Sequence, residues 1–249
     1  QAKPDLVIGV GGCVASQEGD AIVRRAPYVD VVFGPQTLHR LPQLIRERRA
    51  SGRPQVDVSF PEIEKFDALP PARVEGGSAF VTVMEGCGKF CTYCIVPYRR
   101  GREKSRPMDE IVREVAYLTA HGVREVTLLG QTVEAYGHDL AEQPDLGDLM
   151  RDLSALDRLQ RIRFLTSYPR DMTHRILEAI AELPKVMECF SLPVQAGSNR
   201  VLDSMRRGYT REEYVEKIAE VRSLMPHAGI TTDVIVGYPG ETGADFDET

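Results

Sequence analysis

Three of the five cysteines in this 249-residue chain fall within eight residues, as Cys87-Gly88-Lys89-Phe90-Cys91-Thr92-Tyr93-Cys94. At a cysteine frequency of roughly 2%, three fixed positions coincide by chance on the order of 0.002 times in a chain of this length, so the spacing reads as chemistry. Three thiolates can bind three irons of a cubic four-iron cluster and leave the fourth iron open. An open iron suits a cluster that reacts. A purely electron-transferring cluster would normally bring a fourth cysteine nearby, and a structural zinc module would need Cys13 or Cys189 to close a tetrahedral site.

Just downstream, Arg99, Arg100, Arg102, Lys104 and Arg106 stand against the single acid Glu103. A net charge of −6 argues against wholesale coating of nucleic acid. A local basic run beside a reactive centre can still grip the phosphates of a polyanionic substrate, although such a run taken alone is an ordinary solvated loop. Cys189 sits in an apolar strand candidate and reads as a core residue. The histidines at 39, 121, 138, 174 and 227 show no metal-ligand spacing.

The elements that must position these residues form two unequal parts. Residues 5 to 49 read as strand, helix, strand, helix, with strands at 6–10 and 29–33 and helices at 18–25 and 37–49. Residues 51–76 carry Pro54, Pro61, Pro70 and Pro71 and read as a linker. From residue 77 the pattern is regular: strands at 79–84, 125–129, 161–166, 186–192 and 230–236 alternate with helices near 108–121, 146–156, 173–182 and 211–224. Repeated strand–helix units with right-handed crossovers demand a parallel sheet, open or curled into a barrel. Ligands of such sheets sit beyond the carboxyl ends of the strands. There the sequence places the cysteine loop, Gly130-Gln131-Thr132, Ser167-Tyr168-Pro169-Arg170, Pro193 to Asn199, and Gly237-Tyr238-Pro239-Gly240-Glu241. A cluster and a ring of polar groups at one rim is an active-site layout.

Composition is that of an ordinary globular protein, 42% hydrophobic and 27% charged. No run of eighteen apolar residues offers a membrane span. An odd cysteine count with three in one cluster points to a reducing cytoplasm. The first residue is Gln1 and the last residues are Asp247-Glu248-Thr249, which reads as a fragment cut at both ends.

Cys-x3-Cys-x2-Cys after the first strand of such a repeat resembles the signature of the radical S-adenosylmethionine (SAM) superfamily. Its context, Met84-Glu85-Gly86-Cys87 followed by Ile95-Val96-Pro97-Tyr98-Arg99-Arg100-Gly101 and Ser105-Arg106-Pro107, resembles the methylthiotransferases within it. So do Leu128-Leu129-Gly130-Gln131, Leu192 to Ser198, and Asp233 to Glu241. The resemblance covers nearly the whole chain and is nearest to the branch that methylthiolates C2 of a prenylated adenosine beside the tRNA anticodon. Sister branches act on threonylcarbamoyl-adenosine in tRNA or on a ribosomal-protein aspartate, and the basic run does not choose between them.

The resemblance implies an α/β fold: a partial parallel (βα) barrel over residues 77–249, preceded by the C-terminal part of a small α/β domain over residues 1–50. It implies that Cys87, Cys91 and Cys94 hold a [4Fe-4S] cluster whose open iron chelates SAM, and that one electron releases a 5′-deoxyadenosyl radical in a closed cavity. Tyr93 matches an aromatic position against the cofactor's adenine, and Gln131, Gln195 and Glu241 match rim positions near it. The family carries a second, auxiliary [4Fe-4S] cluster held by three cysteines. Only Cys13 matches that set, and the other two would precede residue 1. Arg99, Arg100, Arg102 and Arg106 would face RNA phosphates. The implied partners are tRNA and an electron donor such as flavodoxin or ferredoxin, for a cytoplasmic protein that is monomeric and not bound to a membrane.

Overall fold

This computed structural model describes residues 3, 5–60, 74, 76–165 and 167–249. The chain divides into two compact units, Gln1–Pro71 with Tyr98–Gly101, and Ala72–Pro97 with Arg102–Thr249.

The first unit holds a three-stranded parallel sheet in the order β1 (Gly9–Gly11), β2 (Val31–Phe33), β3 (Gln55–Asp57). The third strand lies inside the stretch read from sequence as a linker. Three residues with one apolar side chain carry too little periodicity to announce themselves, and pairing with β2 makes the strand. The rest of that stretch, residues 61–73 and 75, lies outside the described residues. The expected helix at 18–25 is two, Cys13–Glu18 and Asp20–Arg25, broken at Gly19. Ala15, Val29 and Val32 form the core of this unit. Asp30 ties its layers by accepting from the Ile8 amide at 2.9 Å and from Arg48 at 2.7 Å.

In the second unit, β4 (Ser78–Thr82), β7 (Glu125–Leu129) and β8 (Arg161–Phe164) form a parallel sheet in sequential order. A bridge from Ile162 to Val186 carries the order on toward β9 (Cys189–Ser191), which pairs in parallel with β10 (Gly229–Thr231). Two short strands, β5 (Met84–Glu85) and β6 (Lys104–Ser105), pair antiparallel across the cysteine stretch. Five parallel strands in chain order, each followed by a helix, give the parallel sheet that the periodicity demands and the partial (βα) barrel that the family resemblance implies.

Helix Met108–Ala120 shows how the sequence builds a layer. Pro107 precedes it, Asp109 and Glu110 suit its positive N-terminal end, and Ile111, Val115 and Leu118 fall on one face and are buried. Each such side chain contributes about 1.5–3 kcal/mol by leaving water. Helix Arg211–Leu224 begins with a reciprocal cap: the Glu213 amide donates to Thr210 Oγ1, and the Thr210 amide to Glu213 Oε2. Thr210→Ala should therefore cost about 1 kcal/mol. A chain of this size should then melt about 2–4 °C lower in a calorimetric scan; an unchanged midpoint would count against the cap.

Cys189 corrects an expectation. It was placed in the core, yet it is exposed, because alternation along β9 gives the inward position to Phe190, which is fully buried.

Candidate cluster and cofactor site

Strand β4 leads through Met84 and Glu85 into the stretch Gly86 to Cys94, which forms neither helix nor strand. Gly86 opens it at φ +83°, a left-handed conformation that glycine adopts without a Cβ clash. Phe90, midway, sits at φ +51°, unusual for an aromatic residue and held there by its surroundings. Cys87 and Cys91 are buried and Cys94 is half-buried.

Neighbouring motifs fasten this loop at successive points. Gln131, after β7, accepts the Gly86 amide on Oε1 at 2.7 Å. Glu103 accepts the Gly88 amide at 3.2 Å. Lys89 forms an ion pair with Asp171 and lies 5.1 Å from the Tyr168 ring centroid. The Thr92 amide donates to the Met205 carbonyl at 3.1 Å, and its hydroxyl meets Tyr238 Oη at 2.7 Å. The Cys94 amide closes a turn onto the Cys91 carbonyl at 2.9 Å. The approach of strand to loop also fixes Gly130, where a Cβ would stand 2.6 Å from Met84 Cγ.

The rim residues expected near a cofactor have definite places. Gln131 holds the loop as described. Gln195 adopts φ +75°, and its backbone joins Asp233 and Ile235, carrying the parallel pairing past the end of β9. Glu241 folds back so that Oε2 accepts the amides of Gly237 and Tyr238, which closes the Gly-Tyr-Pro-Gly turn. Through Tyr238, that turn reaches the cysteine loop. Tyr93 is half exposed and takes a 3.1 Å hydrogen bond from Arg207; burial of its ring raises its hydroxyl pKa above the usual tyrosine value.

The basic run separates into different environments. Arg99 and Arg100 end the short helix Val96–Arg100 and fall in the first unit, where Arg99 donates to the Ser16 carbonyl at 3.3 Å and the Arg100 carbonyl accepts from Gln36 at 3.2 Å. Arg106 is committed to structure: it pairs with Glu114 at 2.7 Å and donates to the Thr82 carbonyl at 2.8 Å. Arg102 is exposed and belongs to the second unit. Cys13 is exposed at the start of the helix that follows β1, in the first unit.

Sequence reasoning missed Arg207. It is only 5% exposed, between Tyr168 and Tyr209 with ring centroids 4.7 and 5.2 Å from its guanidinium carbon. It donates to Cys91 Sγ at 3.4 Å. The Arg-Arg-Gly-Tyr stretch after the helix Asn199–Ser204 was a weak signal, because the cysteine-loop partners Cys91 and Tyr93 lie more than a hundred residues away.

The donor set fits a cluster. Burial raises the Cys87 thiol pKa, and Glu103 with the two neighbouring cysteines raises it further; a bound cluster's positive irons would reverse that. Among the described residues no three His, Cys, Asp or Glu side chains converge as they would on a single ion, and Cys189 faces outward. Beside Cys91, a buried guanidinium meets only neutral oxygens and the sulfur among the described residues. Such a cation is costly to bury unless an anion faces it, which a thiolate-bound cluster supplies.

The site is thus a parallel (βα) sheet whose first strand opens into a three-thiol loop, with that loop fastened by the later rim motifs. Residues 81–249 match the model of the radical SAM superfamily. The chain belongs to that superfamily, and membership implies a four-iron cluster and SAM. It is 58% identical to a tRNA-2-methylthio-N(6)-dimethylallyladenosine synthase of Aromatoleum aromaticum and 59% identical to one of Burkholderia mallei, over all of this chain and 57% and 55% of theirs. The chain thus spans just over half the length of these curated relatives. By fold it is similar to the cobalamin-dependent SAM radical enzyme OxsB, at TM-score 0.72 and 14% identity, covering 97% of this chain and 38% of that one. It is also similar to the radical SAM methyltransferase TsrM of Kitasatospora setae, at TM-score 0.66 and 17% identity, covering 97% and 52%. The described residues contain no helix long and apolar enough to cross a membrane.

Proposed function

We propose that this chain carries the catalytic core of a transferase that methylthiolates C2 of a prenylated adenosine beside the tRNA anticodon. The observation that carries the reading is the 58% identity to a synthase of that name across the whole chain. Its support in the structure is the fastened three-cysteine loop.

Cys87, Cys91 and Cys94 would hold the cluster, with SAM on its open iron, Tyr93 against the adenine, and Gln195 lining the rim. When bound, such a cluster would supply the one electron that breaks a C–S bond of SAM's sulfonium, releasing methionine and the radical that abstracts hydrogen. The chain's own residues do the positioning. Gln131 fixes the loop's entry, Thr92 and Tyr238 fix its exit, and Glu241 shapes the turn that carries Tyr238. Holding these groups in place before reaction is where the protein lowers the barrier. Arg102, exposed in its unit, would face tRNA phosphates, and Arg99 and Arg100 belong to the same basic run. Cys13 would contribute one thiolate to a second, auxiliary cluster in the full-length protein. An electron donor of the flavodoxin or ferredoxin type would serve a monomeric, cytoplasmic enzyme.

The test is mass spectrometry of tRNA nucleosides from a strain lacking the full-length gene. Loss of 2-methylthio from prenylated adenosine, restored by the intact gene, is the expected result. Unchanged methylthio-adenosines would sink the reading. Loss confined to threonylcarbamoyl-adenosine would move the enzyme to a sister branch.

A further inference from the structure

We propose that Arg207 is a positioning residue for the cluster: its buried guanidinium, held on Cys91 Sγ, raises the cluster's reduction potential and fixes Tyr93 at the cofactor face. The inference rests on Cys87, Cys91 and Cys94 holding a cluster.

The geometry is that of a preorganised fork. Nε donates to Tyr209 Oη at 2.9 Å, Nη2 to the Pro193 carbonyl at 3.0 Å, and Nη1 to both Cys91 Sγ at 3.4 Å and Tyr93 Oη at 3.1 Å. Tyr168 donates its hydroxyl to the Arg207 carbonyl, so the backbone is fixed as well. One side chain therefore ties together the cysteine loop, the loop after β9 and the turn after helix Asn199–Ser204. Lysine, a point charge with three donors, cannot span these four acceptors at once.

No carboxylate neutralises this cation among the described residues, although it is nearly inaccessible to water. The only partner that becomes anionic on metal binding is Cys91. Hydrogen bonds and positive charge at a cluster sulfur favour the reduced, more negative state. Through that bond Arg207 makes the first electron easier to accept. Its bond to Tyr93, two residues along, turns the same guanidinium into a brace for the ring expected at the adenine.

The experiment compares wild type, Arg207→Lys and Arg207→Gln, each loaded anaerobically with iron and sulfide and titrated with a low-potential chemical reductant under EPR. Iron per chain should stay at the wild-type level in all three. The midpoint of the cluster should move to a more negative potential in Arg207→Lys and further in Arg207→Gln. The affinity for SAM, read as the perturbation of the reduced-cluster EPR signal, should weaken in the same order. Wild-type midpoints in variants that carry full iron overturn the proposal. If Arg207→Gln does not fold, a wild-type midpoint in Arg207→Lys overturns it alone. Wild type that takes up no iron would instead refute the cysteine assignment on which the inference rests.

Discussion

Single replacement of Cys87, Cys91 or Cys94 by alanine should abolish the release of 5′-deoxyadenosine from SAM in the presence of a reductant and strip the chain of most of its iron. The expected loss is the whole signal, because an incomplete thiolate set leaves two irons of the cube without a protein ligand, and a solvent-exposed cluster of that kind degrades. The three positions are not equivalent in packing. Cys91 is buried against Tyr168, Ala196, Val201, Leu202 and Met205, so Cys91→Ala also opens space in that cluster of side chains, whereas Cys94 lies at its edge. Serine at each position stays closer to the cysteine shape than alanine does and replaces the thiolate by a much poorer oxygen ligand, which helps separate ligation from packing. Cys189→Ala is the internal control, since Cys189 is exposed on β9. It should keep full iron and full 5′-deoxyadenosine release. Retention of both by Cys91→Ala would show that Cys91 does not hold the cluster.

What the sequence made legible follows from the range of the interactions involved. Helix Met108–Ala120 and strand β7 come out as the periodicity predicts, because their apolar spacing and boundary residues are local signals. The strand expected at 186–192 contracts to Cys189–Ser191. Its flanks pair in different directions, Val186 with Ile162 and Gln195 with Val234, and a continuous apolar run does not reveal which neighbour each residue takes. The same ambiguity misplaced Cys189. The cysteine triad is legible because its three members lie within eight residues of one another. Arg207 is not, because it reaches Cys91 and Tyr93 across 116 and 114 positions. Gln131 and Glu241 were legible as rim residues, but their roles in holding loop amides emerge only from the fold.

Glu134 should make the stability of the folded chain fall as pH rises from 5 to 8. It lies five residues beyond the end of β7, in a short 3-10 turn, and is 1% exposed. Oε2 accepts the Tyr168 amide at 3.2 Å, and the carboxylate of Asp171 is near enough to oppose its ionisation. Burial pushes its pKa from the ordinary 4.5 up to about 7. Between those values the folded state keeps a proton that the unfolded chain releases, so the folded state is favoured at low pH and that advantage is lost as pH climbs through about 7. At 1.36 kcal/mol per pH unit, the span amounts to about 3 kcal/mol. Glu134→Gln mimics the protonated side chain, can still accept the Tyr168 amide, and has no charge to bury. Urea unfolding of both proteins at pH 5 and pH 8 should therefore show Glu134→Gln gaining about 2.5 kcal/mol on wild type between the two conditions. A difference between the two proteins that stays constant with pH would mean that the carboxyl is ionised throughout, and that some rearrangement of the turn around Tyr168 solvates it.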